Sequence, residues 1–346
     1  MQYRALGSTG MQVSRICLGT MTFGEQNTES EAFRQLDIAL DAGVNFVDAA
    51  EMYPIPPRQQ TAGRTEEIIG AWLRRSGKRD RIVLATKITG PGALVRHVRG
   101  GDLGYRRAQI GAALAGSLRR LGTDTIDLYQ LHWPERQTNC FGRRGYQDDG
   151  TDTFTPLDEV LEVLAEHVRA GTIRAIGISN ETAWGAMAFL RLADGSGLPR
   201  VAAIQNPYSL LNRLFEVGLA EVAIRERCGL LAYSPLAFGT LSGKYLDGMQ
   251  PPGARLTLFP TYTRYIGPNA ARATAAYVDV ARRFGLDPAQ MALAFVLSRP
   301  FLTSAIIGAT TEAQLRSNLT AEDLALAPEV VDAIEAIHEG NPNPAP

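Results

Sequence analysis

A chain of 346 residues, of which 45% are hydrophobic, is long enough to bury a large core. Its net charge of −1 gives no electrostatic reason to expect a nucleic acid or an anionic membrane as a partner. The three cysteines, Cys17, Cys140 and Cys228, are too few and too far apart for a disulfide framework or a zinc site. We therefore expect a cytoplasmic protein without a signal peptide, a membrane span or a metal.

The first predicted element is a hairpin. Residues 3–6 and 12–13 flank a glycine-containing turn at 7–10, and we expect them to lie across the bottom of the fold. Eight short apolar, β-branched runs then predict strands at 16–19, 45–48, 82–87, 126–132, 173–179, 202–206, 230–234 and 304–308. Helical periodicity lies between these runs, at 31–42, 65–75, 110–121, 157–170, 216–227 and 311–318.

Strands that alternate with helices imply a parallel sheet, and eight such units indicate a closed (β/α)8 TIM barrel of the α/β class. Additional helices are predicted at 270–284, 288–299 and 328–339, and we expect the tail at 341–346 to fray. Long loops at 88–106, 134–156 and 235–269 follow strands, so we expect them at the catalytic face. We expect residues 1–346 to form a single domain.

Four chemically informative residues lie at or just after the ends of predicted strands. Asp48 ends the second barrel strand, Tyr53 follows five residues later, Lys87 ends the third strand and His132 ends the fourth. The carboxyl ends of barrel strands form one rim, so we expect these side chains to converge.

This combination suits carbonyl reduction, which needs a hydride donor and a proton donor. A phenol with an ordinary pKa of about 10 is a weak acid at neutral pH, and we expect the Lys87 ammonium to lower the pKa of Tyr53. Asp48 would hold Lys87 in place, and His132 would orient the carbonyl oxygen. Tyr53 is then the general acid in reduction and the general base in alcohol oxidation.

Each residue also has a structural interpretation when it is considered alone. Lys87 beside an acid is typical of a structural ion pair, His132 of a turn histidine, and Tyr53 beside Pro54 of an exposed turn aromatic. The functional interpretation depends on all four residues occurring in order. No GxGxxG or GxxxxGK[ST] motif occurs, and the four histidines lack metal-ligand spacing, so we expect no metal site.

Motifs along nearly the whole chain resemble the aldo-keto reductase superfamily. They occupy residues 19–24, 48–53, 86–87, 131–134, 177–180, 204–206, 233–236 and 308–318. Segments 23–27, 50–54, 139–142 and 206–213 resemble, more narrowly, the bacterial Tas-type NADP(H)-dependent reductases. The resemblance implies the tetrad Asp48, Tyr53, Lys87 and His132 and an NADPH extended across the barrel mouth.

The resemblance also implies contacts to that NADPH. Its nicotinamide would stack on Tyr233, and Ser179, Asn180 and Gln205 would hold the carboxamide. The other implied contacts are Gly19, Thr20, Met21 and Asp48 at the nicotinamide end, Ser234, Leu236, Gly239 and Lys244 near the pyrophosphate, and Gly308, Thr310, Gln314 and Asn318 at the adenosine phosphate.

The turn at 308–311 agrees with this assignment, since Thr310 or Thr311 can cap a helix whose N-terminal N–H groups favour an anion. The same turn is also an ordinary strand-to-helix connection. Some superfamily members have a lysine where Gly308 falls. Arg255 and Arg316 are therefore candidates for gripping the 2′-phosphate, or else they are solvated surface charges.

We expect Trp133 and Phe141 to line an apolar pocket for an aldehyde or ketone, with specificity set by 139–150 and 250–266. Loop 135–150 is interpreted as a solvated lid or an interface rather than a nucleic-acid site; its charged residues include Arg136, Arg143, Arg144, Asp148 and Asp149. The expected oligomeric state is a monomer or a weak homo-oligomer. The sequence alone identifies neither the physiological substrate nor the preferred direction.

Two rival hypotheses use the same barrel. In one, Lys87 forms a Schiff base, as in barrel aldolases, with Asp48 and Tyr53 as proton shuttles. In the other, the protein is an NADPH-binding regulatory or redox-sensor subunit that turns over slowly, as in the potassium-channel β subunits, which resemble this superfamily.

Overall fold

The computed structural model describes residues 1–143, 145–148 and 150–346. Its strands are β1 (Tyr3–Ala5), β2 (Gln12–Ser14), β3 (Ile16–Gly19), β4 (Phe46–Asp48), β5 (Val83–Ile88), β6 (Ile126–Leu131), β7 (Ile173–Ser179), β8 (Val201–Pro207), β9 (Leu230–Tyr233) and β10 (Leu302–Ile307). Strands β3 to β10 are parallel and close into a barrel in chain order, with β10 pairing β3. The predicted TIM barrel is therefore confirmed.

Helices cover the outside of this barrel. They are α1 (Glu29–Asp41), α2 (Arg64–Ser76), α3 (Arg107–Leu121), α4 (Leu157–Arg169), α5 (Ala183–Ser196), α6 (Phe215–Gly218), α7 (Ala220–Arg225), α8 (Arg255–Leu258), α9 (Pro268–Arg283), α10 (Pro288–Leu297), α11 (Glu312–Thr320) and α12 (Pro328–Gly340). Short 3-10 turns are found at Arg79–Arg81, Ala93–Val95, Val98–Gly101, Ala237–Ser242, Leu246–Gly248 and Ala321–Asp323.

The helices pack through one apolar face each. In α4, Leu161 and Leu164 are buried while Glu162 and Glu166 face the solvent, which is the pattern of an amphipathic helix. Each buried aliphatic side chain of this kind contributes about 1.5–3 kcal/mol. Helix α1 begins at Thr28, whose side chain forms a capping box with Glu31.

Side chains at alternate strand positions fill the barrel in layers. The lower layer is apolar and consists of Cys17, Phe46, Ala85, Leu128, Ala175, Ala203, Leu231 and Ile306. Two positions further along four of these strands the side chains are polar, namely Asp48, Lys87, Gln130 and Gln205. A buried polar layer therefore rests on an apolar floor at the carboxyl end of the barrel.

The predicted hairpin is present, with Tyr3 paired to Ser14 and Ala5 to Gln12. Its Leu6, Met11 and Val13 pack in the same cluster as the lower barrel layer. Gly7 has a φ of 56°, and a Cβ atom there would lie 2.7 Å from the carbonyl oxygen of Ala202. The hairpin thus closes the amino-terminal end of the barrel, and its turn requires glycine.

The structure differs from the predicted helices in two places. Helix α5 was not predicted individually, because its sequence is apolar on most sides and has little helical contrast. The predicted helix at 216–227 is two short helices, α6 and α7, that are interrupted at Leu219 directly after Gly218, a residue with poor helix propensity. None of the helices in the described ranges combines the length and the hydrophobicity of a transmembrane segment.

The tail at 341–346 was predicted to fray, but the structure shows it bound to the rest of the fold. The Asn343 Oδ1 accepts a hydrogen bond from the Arg213 N–H at 2.7 Å, and the Ala345 N–H donates to the Leu211 carbonyl at 3.1 Å. The Arg264 Nε donates to the Pro346 carbonyl at 3.1 Å. These bonds to distant loops, which local sequence does not reveal, hold the tail against the barrel.

Candidate active site

The side chains of Asp48, Lys87 and Tyr53 meet at the rim. Lys87 Nζ donates to Asp48 Oδ2 at 2.6 Å and to the Ala49 carbonyl at 2.8 Å, and the lysine is fully excluded from solvent. The same nitrogen lies 4.9 Å from the centre of the Tyr53 ring. Adjacent parallel strands bring Asp48 and Lys87 together, and the segment after β4 brings Tyr53 over them.

Two glutamine side chains hold the other oxygen of Asp48. Gln130 and Gln205 donate to Asp48 Oδ1 at 3.1 and 2.9 Å, and Gln205 also donates to the Gln130 side chain at 3.1 Å. We did not predict Gln130 as a site residue. Its signal was a polar side chain at an inward-facing position of a buried strand, two residues before His132.

The His132 ring also packs beside Tyr53. The two ring centres are 5.8 Å apart in an edge-to-face arrangement, and the imidazole is 4.8 Å from the Trp133 ring. Trp133 in turn contacts Phe141 at 5.6 Å. An aromatic wall therefore runs outward from Tyr53, and it includes both residues predicted to line the substrate pocket.

The pKa shifts at the rim follow from burial and from the Lys87 charge. Burial opposes the charged form of Lys87, but the charges of Asp48 and Tyr53 outweigh it and raise the pKa of the amine. Burial lowers the pKa of His132 well below its ordinary value, and the Lys87 charge lowers it further. His132 is therefore neutral at pH 7, and Lys87 is an ammonium.

The pKa of Tyr53 differs from the prediction. Burial raises the pKa of the phenol, and the Lys87 charge offsets only part of this increase. The net pKa is thus above its ordinary value, although Lys87 lowers it as expected. The sequence argument counted the ammonium and omitted the cost of removing a phenolate from water.

The three residues predicted to hold the carboxamide share a hydrogen-bonded network with Tyr233, which is predicted to stack on the nicotinamide. Tyr233 Oη donates to Asn180 Oδ1 at 2.6 Å, and Ser179 Oγ donates to the Gln205 carbonyl at 2.7 Å. Asn180 Nδ2 donates to the His132 carbonyl at 2.9 Å. The four side chains are together at the rim, and a ligand there must compete with these bonds.

Residues 19–21 follow β3 beside the polar layer. Thr20 Oγ1 donates to the Asp48 carbonyl at 2.8 Å, and the Met21 carbonyl accepts from the Ile55 N–H at 2.9 Å. A Cβ atom on Gly19 would lie 3.1 Å from the Ile307 carbonyl oxygen. Glycine at this position therefore lets the ends of β3 and β10 approach closely.

Lys244 and Arg255 are neighbouring cations at the mouth of the barrel. Neither has a carboxylate among its described interactions. Burial lowers the pKa of Lys244, and the neighbouring Arg255 charge lowers it further. Arg255 also has a pKa lowered by burial, and its guanidinium packs 5.2 Å from the Phe238 ring. An anionic group would relieve this arrangement, since both charged forms are now destabilised.

The backbone beside these cations is unusual. Ser234, Ala237 and Phe238 adopt positive φ values of 54°, 49° and 58°, a conformation that is unfavourable for residues other than glycine. Leu236 accepts from the Gly239 N–H at 2.8 Å, and a Cβ atom on Gly239 would lie 2.9 Å from Lys244 Nζ. This turn therefore carries the four residues predicted near the pyrophosphate.

The residues predicted for the adenosine phosphate surround the start of α11. Thr311 caps the helix through a bond from the Gln314 N–H, and Gln314 Oε1 accepts from the Thr310 N–H at 3.0 Å. Asn318 is buried and its Nδ2 lies 3.5 Å from the Gly308 carbonyl, whereas Arg316 is exposed. Arg316 is thus the more solvated of the two arginine candidates.

The predicted solvated lid is only partly solvated. Arg136 forms a buried ion pair with Glu181, in which Nη1 is 3.0 Å from Oε2, because the loop folds back on the end of β7. Arg143 and Asp148 are exposed, and Arg144 and Asp149 lie outside the described residues.

The family model for the Aldo/keto reductase family matches residues 15–339. The chain therefore belongs to the aldo/keto reductase family of oxidoreductases, which act on small carbonyl compounds. It is 53% identical to Protein tas of Escherichia coli (strain K12) over the whole of both chains. This relationship confirms the predicted Tas-type resemblance.

Two further relatives span nearly the whole chain. Uncharacterized oxidoreductase YrpG of Bacillus subtilis (strain 168) is 35% identical and is matched over 98% of this chain and 97% of its own length. A probable voltage-gated potassium channel subunit beta of Oryza sativa subsp. japonica is 32% identical over 99% and 98%.

Proposed function

We propose that this protein reduces aldehyde or ketone carbonyls to alcohols, with NADPH as the hydride donor, and that it catalyses the reverse oxidation of alcohols. The observation that carries the proposal is the buried Lys87 ammonium, paired with Asp48 at 2.6 Å and 4.9 Å from the centre of the Tyr53 ring. This arrangement supports proton transfer by the phenol at the rim where family members act on carbonyls.

A reduced nicotinamide, when bound, supplies the hydride to the carbonyl carbon. Tyr53 donates its proton to the carbonyl oxygen as the general acid, and Lys87 stabilises the phenolate that remains. Asp48 keeps Lys87 charged and directed at the phenol, and Gln130 and Gln205 hold Asp48 in turn. In alcohol oxidation Tyr53 is the general base.

His132 has a different role because it is neutral. A neutral imidazole has one N–H, which can donate to the carbonyl oxygen and support the negative charge that develops there. A second positive charge beside Lys87 would be costly in this buried position, as the lowered pKa of His132 indicates. We therefore assign His132 to orienting the carbonyl rather than to proton transfer.

The residues present fit a phosphorylated dinucleotide. Lys244 and Arg255 are neighbouring cations with lowered pKa values, and a phosphate would stabilise both. We assign the 2′-phosphate to Arg255 rather than Arg316, because Arg255 is partly buried with no carboxylate among its described interactions, whereas Arg316 is exposed. The remaining proposed contacts are Gly19, Thr20, Met21, Asp48, Ser179, Asn180, Gln205, Tyr233, Ser234, Leu236, Gly239, Gly308, Thr310, Gln314 and Asn318.

The state of Lys87 argues against the aldolase alternative. A Schiff-base lysine must reach its substrate as a free amine, whereas Lys87 is fully buried, bonded to Asp48 and Ala49, and has a raised pKa. The regulatory-subunit alternative differs from the enzyme in its rate of turnover rather than in its site.

We also propose a cytoplasmic location, because the described cysteines are unpaired.

A panel of aldehydes and ketones tests the proposal by the loss of NADPH absorbance and by identification of the alcohol product. Apolar and aromatic carbonyls are the expected substrates because Trp133 and Phe141 continue the wall from His132. Tight NADPH binding without steady turnover on any carbonyl would favour the regulatory role. Borohydride trapping of substrate on Lys87 without NADPH oxidation would favour the aldolase.

A further inference from the structure

Glu51 is a buried carboxylate two residues before Tyr53 that the proposed chemistry does not use. Its Oε2 accepts a hydrogen bond from the Thr89 N–H at 2.9 Å, and its Oε1 lies 3.1 Å from Arg99 Nε. The Glu51 N–H donates to the Lys87 carbonyl at 3.0 Å. Glu51 therefore attaches the segment that carries Tyr53 to the strand end that carries Lys87.

Arg99 completes the same attachment from the other side. Its Nη2 donates to the Thr89 carbonyl at 3.0 Å, and its Nη1 donates to the Gln109 carbonyl at the start of α3 at 2.8 Å. Glu51 thus binds the backbone N–H of Thr89, and Arg99 binds its carbonyl. Thr89 lies two residues after Lys87 and is fully buried. We refer to Glu51, Arg99 and Thr89 as the rim clamp.

The backbone of Arg99 is strained in the position that the rim clamp requires. Its φ is 49°, in the left-handed region that residues other than glycine rarely adopt. Such a conformation persists only where the surrounding contacts impose it, and it concentrates at functional sites. The bonds to Glu51, Thr89 and Gln109 are the contacts that hold this guanidinium.

Apolar packing joins the same two segments. Ala50 and Met52 form a cluster with Val95 and Val98 of loop 88–106, and Tyr53 packs against this cluster. The loop and the Tyr53 segment therefore share one core, which the rim clamp ties to β5. A buried ion pair adds little net stability compared with apolar packing, so its main effect here is to fix a geometry.

We propose that Glu51 and Arg99 are positioning residues for the Tyr53 phenol, which they hold at a fixed distance from Lys87 through the backbone of Thr89. The proposal rests on the function assigned above to Tyr53. Misplacing a reacting group by about 1 Å can cost about 100-fold in rate. The rim clamp therefore controls turnover without touching the substrate.

Glu51→Gln tests this proposal because it keeps the shape of the side chain and removes its charge. We expect kcat per folded molecule to fall about 10- to 100-fold, with the Kd for NADPH unchanged within about twofold. The matched control is Asp127→Asn. Asp127 is also a buried carboxylate that accepts from a backbone N–H, that of Leu84 at 2.8 Å, and pairs with an arginine, Arg79 at 2.8 Å, but it lies near the start of β6, at the end of the barrel opposite Tyr53.

Arg99→Lys is the second variant, and it tests the positioning role if Glu51→Gln does not fold. Lysine keeps the charge, but its single ammonium cannot reach Glu51, Thr89 and Gln109 together as the forked guanidinium does. We expect the same selective fall in kcat. In Asp127→Asn we expect a loss of stability with kcat within about twofold of the wild type.

A readout without turnover separates this proposal from the proposed function. Fluorinated tyrosine is incorporated, and the Tyr53 fluorine NMR resonance is assigned with Tyr53→Phe. We expect this resonance to shift in Glu51→Gln and Arg99→Lys but not in Asp127→Asn. If the wild type reduces no carbonyl, the proposed function fails while the resonance still reports on the rim clamp. An unchanged resonance in both variants, or an unchanged kcat in an active enzyme, overturns the proposal.

Discussion

Lys87 and Asp48 form an ion pair of 2.6 Å in which neither side chain is more than 2% exposed. The pair lies directly above the apolar floor of the barrel, where water cannot solvate a charge that loses its partner. The other carboxylate oxygen of Asp48 accepts hydrogen bonds from Gln130 and Gln205, so the carboxylate is held in one orientation. In the function that we propose, stability and chemistry therefore depend on the same contact.

The stability of the fold should respond sharply to this pair. Asp48→Asn leaves an uncompensated ammonium in the barrel, and we expect it to lower the free energy of unfolding by about 3–5 kcal/mol. Urea denaturation followed by circular dichroism measures the change. Arg34→Ala is the control because the Arg34–Glu312 pair is exposed and contributes little. Equal losses in the two variants would contradict a structural role for the buried pair.

Removing the phenol hydroxyl should separate binding from chemistry. In Tyr53→Phe we expect the Kd for NADPH to be unchanged and kcat for carbonyl reduction to fall at least about 100-fold, the loss expected of a general acid. Fluorescence titration of NADPH and steady-state turnover give the two values. Turnover near that of the wild type would remove Tyr53 from its assigned role.

The pH profile of reduction follows from the shifted pKa values. The pKa of His132 is far below its ordinary value, so we expect no titration of kcat near pH 6.5. The pKa of Tyr53 is raised, so the phenol keeps its proton up to above about pH 10. Carbonyl reduction should therefore be present below that pH and be lost as the pH rises through the Tyr53 pKa. A fall in kcat on acidification through pH 6–7 would show that His132 titrates.

Arg255 should discriminate between the two nicotinamide cofactors. In Arg255→Ala we expect the Kd for NADPH to rise about 10- to 100-fold, as for a lost bond to a charged group, while that for NADH changes little. Arg316→Ala provides the comparison, because Arg316 is exposed and we expect little effect on either cofactor. Equal losses for NADPH and NADH in Arg255→Ala would show that Arg255 does not bind the 2′-phosphate.

Gly90 sets the position of the aromatic wall. A Cβ atom there would lie 2.6 Å from Trp133 Nε1 and 2.8 Å from Tyr105 Oη, so Gly90→Ala should displace Trp133 and cost about 1–3 kcal/mol of stability. We expect a higher KM for bulky carbonyls with an unchanged Kd for NADPH. Gly111→Ala in α3, where an added Cβ atom would meet no other segment within 4 Å, should be neutral or stabilising. An unchanged KM in Gly90→Ala would indicate that Trp133 does not line the pocket.

The sequence predicts the barrel strands well because each strand is a short buried run bounded by turn residues, and their order then brings Asp48, Lys87 and His132 to one rim. It fails for α5, whose apolar residues carry no clear helical period. The polar layer was partly predictable, since Gln130 occupies an inward position between buried residues. The bonds of Asn343 and of Arg99 were not, because each joins segments whose proximity only the folded chain determines.

The pKa of Tyr53 illustrates a second limit. The sign of the Lys87 contribution follows from the sequence, because an ammonium always favours a phenolate. The size of the opposing desolvation depends on how completely the surrounding segments exclude water, which residue types alone do not specify.

The hairpin seals the foot of a barrel whose interior is already filled, because Leu6, Met11 and Val13 pack against the lower apolar layer. In the described structure, ligands therefore approach the polar layer from the opposite mouth. The cofactor and the carbonyl compound that we propose would share that mouth, so the one that binds deeper is expected to arrive first and leave last. Product-inhibition patterns would reveal such an order of binding.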